Sequence, residues 1–230
     1  MARYDIIVPV YNQGELTKKC LESIKKYSKD YRAIIVDNGS DSWEYDKWGE
    51  AFCGLENKWL IVNEENLGFV KAINQGLNVS TAPYVVFLNN DAEAAPQWLQ
   101  KLEFPFLRDS KIGAVSALSG CSARWQGKIK PSRGYRIVTD HSMVSFFCAM
   151  IPQKIIKETG LLNEEFGLGL GDDNEYCWRL TKAGYKLALA MDLKIPHKGS
   201  ATFRAMFTEE ERIALSKENL GKFAKMKGAL

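Results

Sequence analysis

Several features that mark whole classes of protein are missing from this 230-residue sequence. No Cys-x-x-Cys pair occurs, and the five cysteines are an odd number, so we expect free thiols in a reducing compartment rather than a disulfide framework. No stretch approaches the roughly 18 uninterrupted apolar residues of a transmembrane helix. The apolar N-terminal stretch is short and is broken by Pro9 and Asn12, unlike a signal peptide. These absences predict a cytoplasmic protein.

Net charge is also low. The 31 basic and 28 acidic residues give a formal charge of +3, which is too small to indicate a nucleic-acid partner. The hydrophobic content of 46% is ordinary for a globular protein, and a chain of this length buries enough surface to form a core without disulfides or structural metals. We therefore expect residues 1–230 to form a single domain.

Apolar strand patterns alternate with amphipathic helix patterns in the first half of the chain. The predicted strands and helices to residue 118 are, in order, 4–12, 15–27, 32–40, 59–66, 68–80, 83–91, 96–107 and 112–118, with a further short helix near 43–52. Continuous apolar strands that alternate with helices predict a Rossmann-like, mainly parallel sheet with helices on both faces. In such folds ligands bind beyond the carboxyl ends of the strands.

Polar residues follow four of the predicted strands. Asn12, Asp37-Asn38-Gly39, Asn66-Leu67-Gly68 and Asn89-Asn90-Asp91 stand at those ends. Because the ends of parallel strands meet at one edge of a sheet, this pattern predicts a binding site there. A plain turn after the strand remains an alternative for Asn89-Asn90-Asp91.

The pattern changes after residue 118. Residues 120–142 lack periodicity and contain glycine, proline and basic residues, which predicts a functional loop with at most a weak hairpin. A strand at 143–152 and a short helix that ends at Gly160 follow. A glycine-rich turn then leads into a helix near Asp172, and a last helix spans 208–227 with Thr208 as its N-cap.

Seven segments in order resemble the family 2 glycosyltransferases: VPVYN, VDNGS, NLGFVKAINQGL, FLNNDA, WL, the stretch from FFCAMIP to AGYKL, and the histidine of PHKGS. The resemblance implies a GT-A fold with a small acceptor-side extension. It implies inverting transfer of a sugar from a nucleotide-diphosphate sugar, UDP- or dTDP-linked, to a hydroxyl of a glycan or lipid-linked acceptor. The sequence Asn89-Asn90-Asp91 is similar to that of the rhamnosyl- and galactofuranosyl-transferase-like sub-group.

The resemblance also implies a donor site and a metal site. It assigns nucleotide-sugar binding to Pro9, Tyr11, Asn12, Asp37, Asn38, Asn66, Gly68, Lys71, Asn89, Asn90 and Asp91. Asp91 and His197 would hold Mn2+ or Mg2+, which neutralises the diphosphate. The family often has Asp-x-Asp where this chain has Asn89 first, so one anionic ligand is missing. A solvated helix face for Lys71 and a structural role for His197 remain alternatives.

The stretch GDDNEYCWR resembles the family's catalytic motif. Its base falls on Asp173, which would take the proton from the acceptor hydroxyl, with Asp172 beside it. Trp178 and Arg179 are assigned to the acceptor, and Trp125 is a further aromatic that could stack on a sugar. An acidic helix N-terminus explains Asp172 equally well, and a tryptophan is more often part of the core.

We divide the domain into a nucleotide-sugar-binding half at 1–118, an acceptor and catalytic half at 119–207, and a C-terminal helix at 208–230. That helix either contacts the inner membrane face peripherally or packs on the domain or a partner, and its acidic first turn favours packing. Two alternative functions stay open, a sugar nucleotidyltransferase and a non-catalytic sugar-nucleotide or glycan-binding module. Against the first, the initial strand is not followed by a phosphate loop rich in glycine and basic residues.

Overall fold

The structure, a computed structural model, describes residues 2–121, 128–199 and 201–228. These residues form one eight-stranded sheet with the strand order β3-β2-β1-β4-β7-β5-β8-β6. The strands are β1 Tyr4–Val10, β2 Tyr31–Asp37, β3 Lys58–Val62, β4 Tyr84–Leu88, β5 Ile112–Ser119, β6 Tyr135–Val138, β7 Cys148–Pro152 and β8 Lys186–Ile195.

Helices connect most of the strands. They are α1 Gly14–Tyr27, α2 Ser42–Cys53, α3 Phe69–Val79, α4 Trp98–Arg108, α5 Gln153–Thr159, α6 Asp172–Lys182, α7 Ala201–Met206 and α8 Glu209–Gly228. Each β-α unit in the first half follows the sequence prediction within a few residues.

The predicted mainly parallel sheet is confirmed. β1 pairs in parallel with β2 and β4, β2 with β3, and β5 with β8. β7 lies antiparallel between β4 and β5, and β6 lies antiparallel along β8. The carboxyl ends of six strands therefore face the same edge, which places the segments that follow β1, β2, β4, β5 and β8 together.

Two hydrophobic cores cover the faces of the sheet. On one face, α1, α2 and α4 pack side chains such as Leu21, Trp48 and Leu99 against the strands. On the other, α3, α5 and α6 pack Ile73, Ile155 and other apolar side chains. Strands that are buried on both faces explain why the sequence shows continuous apolar runs instead of alternation.

The second half differs from the prediction in three elements. β8 extends beyond the predicted KLALA strand to Ile195, and β6 lies within the segment predicted as a loop. α7 was not predicted. α8 begins at a capping box, since the Thr208 hydroxyl accepts the Glu211 N–H and the Thr208 N–H donates to the Glu211 carboxylate.

The remaining sequence-level expectations concern thiols and membrane segments. All five cysteines are free, as expected. Within the described residues no helix combines the length and apolar character that crossing a bilayer requires.

Candidate active site

Two adjoining cavities lie at the carboxyl edge of the sheet. The smaller, of about 90 Å³, is lined by the ends of β1, β2 and β4 and by α7. The larger, of about 310 Å³, lies between the ends of β4 and β5, the residues just before β7, and α8. The glycine-rich loop before α6, residues 165–171, also lines it. Phe69, Asn89, Leu168 and Phe203 line both. The structure thus joins the predicted donor edge to the predicted catalytic carboxylates.

The three polar residues after β4 point in different directions. Asn89 lines both cavities, and its Oδ1 is buried without a hydrogen-bond partner. Asn90 lines the smaller cavity, but its amide donates to the Thr17 hydroxyl on α1 at 3.0 Å, which anchors the segment. Asp91 lies in the smaller cavity beside His197. One tight segment therefore supplies both an anchor and two ligand-facing groups.

Asp91 and His197 form a buried pair, although 105 residues separate them in the sequence. The Nε2 atom of His197 is 3.2 Å from Asp91 Oδ1, and their side chains are 3% and 4% exposed. Burial opposes ionisation of Asp91, but His197 and the Ala201 N–H outweigh it, so the pKa of Asp91 lies below its ordinary value. Asp91 is therefore a carboxylate at neutral pH.

Two contacts hold the His197 ring. Its Nδ1 is 3.1 Å from the Ser119 hydroxyl at the end of β5, and Phe147 stacks on it with ring centroids 4.4 Å apart. Its Nε2 has no partner with hydrogen-bond geometry. This arrangement suits a metal ligand, because the contacts at Nδ1 and at the ring face hold the imidazole and leave Nε2 facing Asp91.

The residues present fit a divalent cation shared with a diphosphate. Asp91 Oδ1 and His197 Nε2 face each other, and Asn89 Oδ1 adds an unpartnered oxygen at the same edge. Among the described residues no group of three or more His, Cys, Asp or Glu could hold a metal alone, so the substrate would have to supply the other ligands. No described lysine or arginine lines either cavity, whereas three aspartates do.

Asp37 ends β2 and is almost fully buried. Its carboxylate accepts hydrogen bonds from the Ser40 N–H at 3.2 Å, from the Ser40 hydroxyl, and from the Tyr45 hydroxyl at 2.6 Å. Because these contacts leave little capacity for a ligand, Asp37 holds the turn after β2 in this structure. It does not line either cavity.

A network of amides links the next strand ends. The Asn38 amide donates to Asn66 Oδ1 at 2.9 Å and to the Gly68 carbonyl at 3.1 Å, and its Oδ1 accepts from Asn63. Asn38 and Asn66 both line the smaller cavity, so they shape its wall while fixing one another.

Gly68 has a role different from the one predicted. Its φ is 88°, and a Cβ would lie 2.6 Å from the Gly167 carbonyl oxygen. The glycine therefore admits the backbone of the glycine-rich loop rather than a ligand. The Val70 N–H also donates to Gly167, at 3.3 Å. Lys71, one residue further along α3, is exposed and lines neither cavity.

The segment after β1 is shaped by positive backbone angles. Asn12 and Gln13 have φ values of 50° and 57°. The Asn12 side chain exchanges hydrogen bonds with Asp41, and its N–H donates to Ser40. Pro9 and Tyr11 line the smaller cavity, whereas Asn12 joins this turn to the one after β2.

The predicted catalytic carboxylates begin α6. Gly171 is its N-cap, with φ 118°, and Asp172 and Asp173 are the first two helical residues. Both line the larger cavity. Asp172 is 5% exposed, and burial together with the charge of Asp173 raises its pKa to about 8. Asp173 is partly exposed and accepts the Asn174 N–H at 2.9 Å. The sequence places the two residues side by side, and the fold gives them different environments.

Arg179 and Trp178, predicted to bind the acceptor, make structural contacts instead. Arg179 pairs with Glu175 at 2.6 Å and donates to the Thr159 and Leu161 carbonyls at 2.7 and 2.8 Å. Its donors thus join α6 to the end of α5. Trp178 is mostly buried and packs edge-on against Phe223 of α8. Neither lines the two cavities, and Trp125 lies outside the described residues.

The sequence prediction missed the helix α7 and missed the place of the predicted helix α8 at the site. Phe203 and Met206 of α7 cover the smaller cavity, and the Ala201 N–H donates to Asp91 Oδ2 at 3.2 Å. Ser216 and Leu220 of α8 line the larger cavity. The only signal in the sequence is proximity to His197, because neither helix carries polar residues in a ligand-binding pattern.

Curated proteins that are similar to this chain include glycosyltransferases. Among curated proteins, the glycosyltransferase AglE of Haloferax volcanii is 23% identical over 82% of this chain and 64% of its own. A pre-mycofactocin glycosyltransferase of Mycobacterium tuberculosis is 26% identical over 79% of this chain and 40% of its own. The chain thus spans less than two thirds of the length of these relatives.

Solved structures establish the fold. The mannosyltransferase PcManGT of Pyrobaculum calidifontis, solved with GDP-Man and Mn2+, gives a TM-score of 0.66 at 20% identity, over 88% of this chain and 59% of its own. GalNAc-T7, solved with UDP, GalNAc and Mn2+, gives a TM-score of 0.66 at 17% identity, over 86% of this chain and 44% of its own. The predicted GT-A fold is confirmed. The sequence profile of glycosyl transferase family 2 matches residues 5–160, and the chain belongs to that family.

Proposed function

We propose that this chain is an inverting glycosyltransferase that uses a divalent cation. It moves a sugar from a nucleotide-diphosphate sugar to a hydroxyl of a glycan or lipid-linked acceptor. The observation that carries the proposal is the joining of two cavities. Asp91 lines the smaller cavity, whereas its partner His197 lines the larger one together with Asp172 and Asp173. A transferase needs this adjacency because the acceptor must attack the sugar while the diphosphate leaves.

The donor occupies the strand ends, with the base and ribose toward the walls formed by Pro9, Tyr11, Asn38 and Asn66. Asp91 and His197 hold Mn2+ or Mg2+, and the bound cation supplies charge compensation for the departing nucleoside diphosphate. The absence of lysine and arginine from both described cavity linings supports this requirement. Without a cation, no described lysine or arginine of the two linings would offset the repulsion between the diphosphate and Asp91.

The acceptor enters the larger cavity, and Asp173 takes the proton from its hydroxyl. Burial favours the protonated form of Asp172, which lowers the negative charge beside Asp173. Phe146 and Phe147 provide apolar surface at this cavity, which suits the face of a sugar ring.

Donor binding also requires α7 to shift. Pockets for small ligands measure roughly 300–1,000 Å³, whereas the cavity at the strand ends is about 90 Å³. None of the residues of α7 is buried. Movement of Phe203 and Met206 away from the strand ends would enlarge the donor site at little cost in buried apolar surface.

The alternatives make different demands on the site. A sugar nucleotidyltransferase needs cationic side chains around a triphosphate, and the described cavity linings offer none. A binding module needs no base, yet two carboxylates line the larger cavity. UDP as against dTDP in the donor, and any membrane contact through α8, stay predictions. α8 packs Phe223 on Trp178, which accords with the expectation that it packs on the domain.

The test combines binding and turnover. The purified chain is titrated with UDP-, dTDP- and GDP-sugars in Mn2+, and released nucleoside diphosphate is measured with and without glycan and lipid-linked acceptors. We expect saturable binding together with acceptor-stimulated release. Binding without release from any donor would favour the binding module, and release of pyrophosphate from a nucleoside triphosphate and a sugar phosphate would favour the nucleotidyltransferase.

A further inference from the structure

One polar side chain of the C-terminal helix is completely buried. Asn219 is 0% exposed, and it is the only buried residue among those described in α8. An amide at such a position is costly unless its hydrogen bonds are satisfied. The hydrogen-bond partners of Asn219 therefore indicate its role.

The Asn219 side chain donates both of its hydrogen bonds to one loop, residues 165–171. Nδ2 donates to the Phe166 carbonyl at 3.2 Å and to the Gly169 carbonyl at 2.7 Å. Oδ1 accepts from Lys222 at 3.1 Å, and Lys222 also donates to the Glu165 carbonyl at 3.0 Å. Two residues one helical turn apart thus bind three carbonyls of the segment 165–171, which leads into Asp172.

That loop is poorly suited to hold its own shape. Gly167, Gly169, Leu170 and Gly171 have φ values of 52°, 111°, 70° and 118°. Glycine is flexible in the unfolded chain, and a leucine at positive φ is strained, so external contacts must select this conformation. The carboxylates of Asp172 and Asp173 follow without an intervening residue.

We propose that Asn219 is a positioning residue for the acceptor base. Its two donated hydrogen bonds fix the glycine-rich loop and thereby set where Asp173 stands relative to the acceptor hydroxyl. The inference rests on the proposed function, in which Asp173 is the base. It gives α8, which lies beyond the segment matched by the family profile, a part in the reaction.

The test compares three variants at α8. Asn219→Ala removes both donated bonds, Asn219→Asp keeps the size but turns an oxygen toward two carbonyls, and Lys217→Ala is a control at an exposed neighbour. Because a misplacement of about 1 Å can cost on the order of 10²-fold in rate, we expect kcat to fall by about that factor in both Asn219 variants. The donor Kd should change much less than kcat, because Leu168 is the one residue of 165–171 that lines the smaller cavity, and Lys217→Ala should match the wild type.

A double-mutant comparison separates positioning from general loosening of the fold. If Asn219 acts through Asp173, adding Asn219→Ala to Asp173→Asn should lower kcat by no more than about twofold further, because coupled effects are not additive. Full additivity, or an Asn219→Asp variant as active as the wild type, would overturn the proposal. Saturable donor binding by each variant shows that the variant is folded.

Failure of the two inferences can be told apart. If Asp172→Asn and Asp173→Asn both keep full activity, the assignment of the base fails. If Asp173→Asn is inactive while Asn219→Ala has normal kcat, the base stands and the positioning role fails.

Discussion

Replacement of Asp172 by asparagine should stabilise the protein, and more so at higher pH. Burial and the neighbouring Asp173 raise the pKa of Asp172 from 3.8 to about 8. The folded chain therefore holds a proton at neutral pH that the unfolded chain releases. A group of this kind makes stability fall as pH rises from about 4 to about 8, because the folded state binds more protons in that window. Asparagine resembles the protonated acid and does not titrate.

The size of the effect follows from the shift. At pH 7 the cost removed by Asp172→Asn is at most about 4 kcal/mol, which corresponds to a rise in Tm of roughly 10 °C for a chain of this length. At pH 5 less than about half of that gain should remain. Thermal unfolding followed by circular dichroism between pH 5 and pH 8 measures it, with Asp46→Asn, an exposed aspartate of α2, as the matched control.

Activity distinguishes the two carboxylates. Asp172→Asn should retain turnover at pH 7 within about tenfold, because it mimics the protonated state. Asp173→Asn should lose about 10²–10⁴ in kcat, the usual contribution of a general base, with nearly unchanged donor binding. A Tm difference for Asp172→Asn that is the same at pH 5 and pH 8 would refute the raised pKa. If Asp172→Asn is inactive and Asp173→Asn is active, the general base is Asp172 and not Asp173.

Three further predictions concern the donor edge and the acceptor loop. Chelation by EDTA should abolish turnover and Mn2+ or Mg2+ restore it, and His197→Ala should raise the metal concentration needed; full transfer in chelator would contradict the cation site. Asp37→Ala should weaken nucleoside diphosphate binding about tenfold or more with a smaller change in kcat, because the turn that Asp37 holds through Ser40 and Tyr45 loosens. Tyr45→Phe removes one of these contacts and should weaken binding less. Normal affinity in Asp37→Ala would count against the assignment of Asp37 to the nucleotide site. Proteolysis within 120–142 should slow when donor and acceptor are both bound, and equal cleavage with and without ligands would disprove an acceptor-facing loop.

The donor half of the fold could be predicted from local pattern. Apolar runs buried on both faces and helices of period 3.6 identify the parallel strands, and polar residues at their ends then identify the edge. Asp91 and Asn89 were found this way. Direct contact with a ligand could not be predicted, because the same polar residue types also fix turns, as Asn38 and Asp37 do here.

The second half depends on contacts that local pattern does not encode. The sequence of β7 does not indicate that this strand runs antiparallel between β4 and β5. Arg179 looks like an acceptor ligand in a motif, yet Glu175 and two carbonyls take up its donors. Asn219 stands in a polar helix, and only the tertiary structure reveals that it is buried against the glycine-rich loop.

The stereochemistry of the product tests the central claim most directly. With an α-linked donor that supports turnover, proton NMR of the glycoside formed by the wild-type chain should show only the β anomer, because Asp173 activates the acceptor for direct attack on the anomeric carbon. The Asp173→Asn variant should form little product under the same conditions. A product that retains the α configuration would contradict the account, since it would require an attack on the sugar that a single acceptor base does not provide.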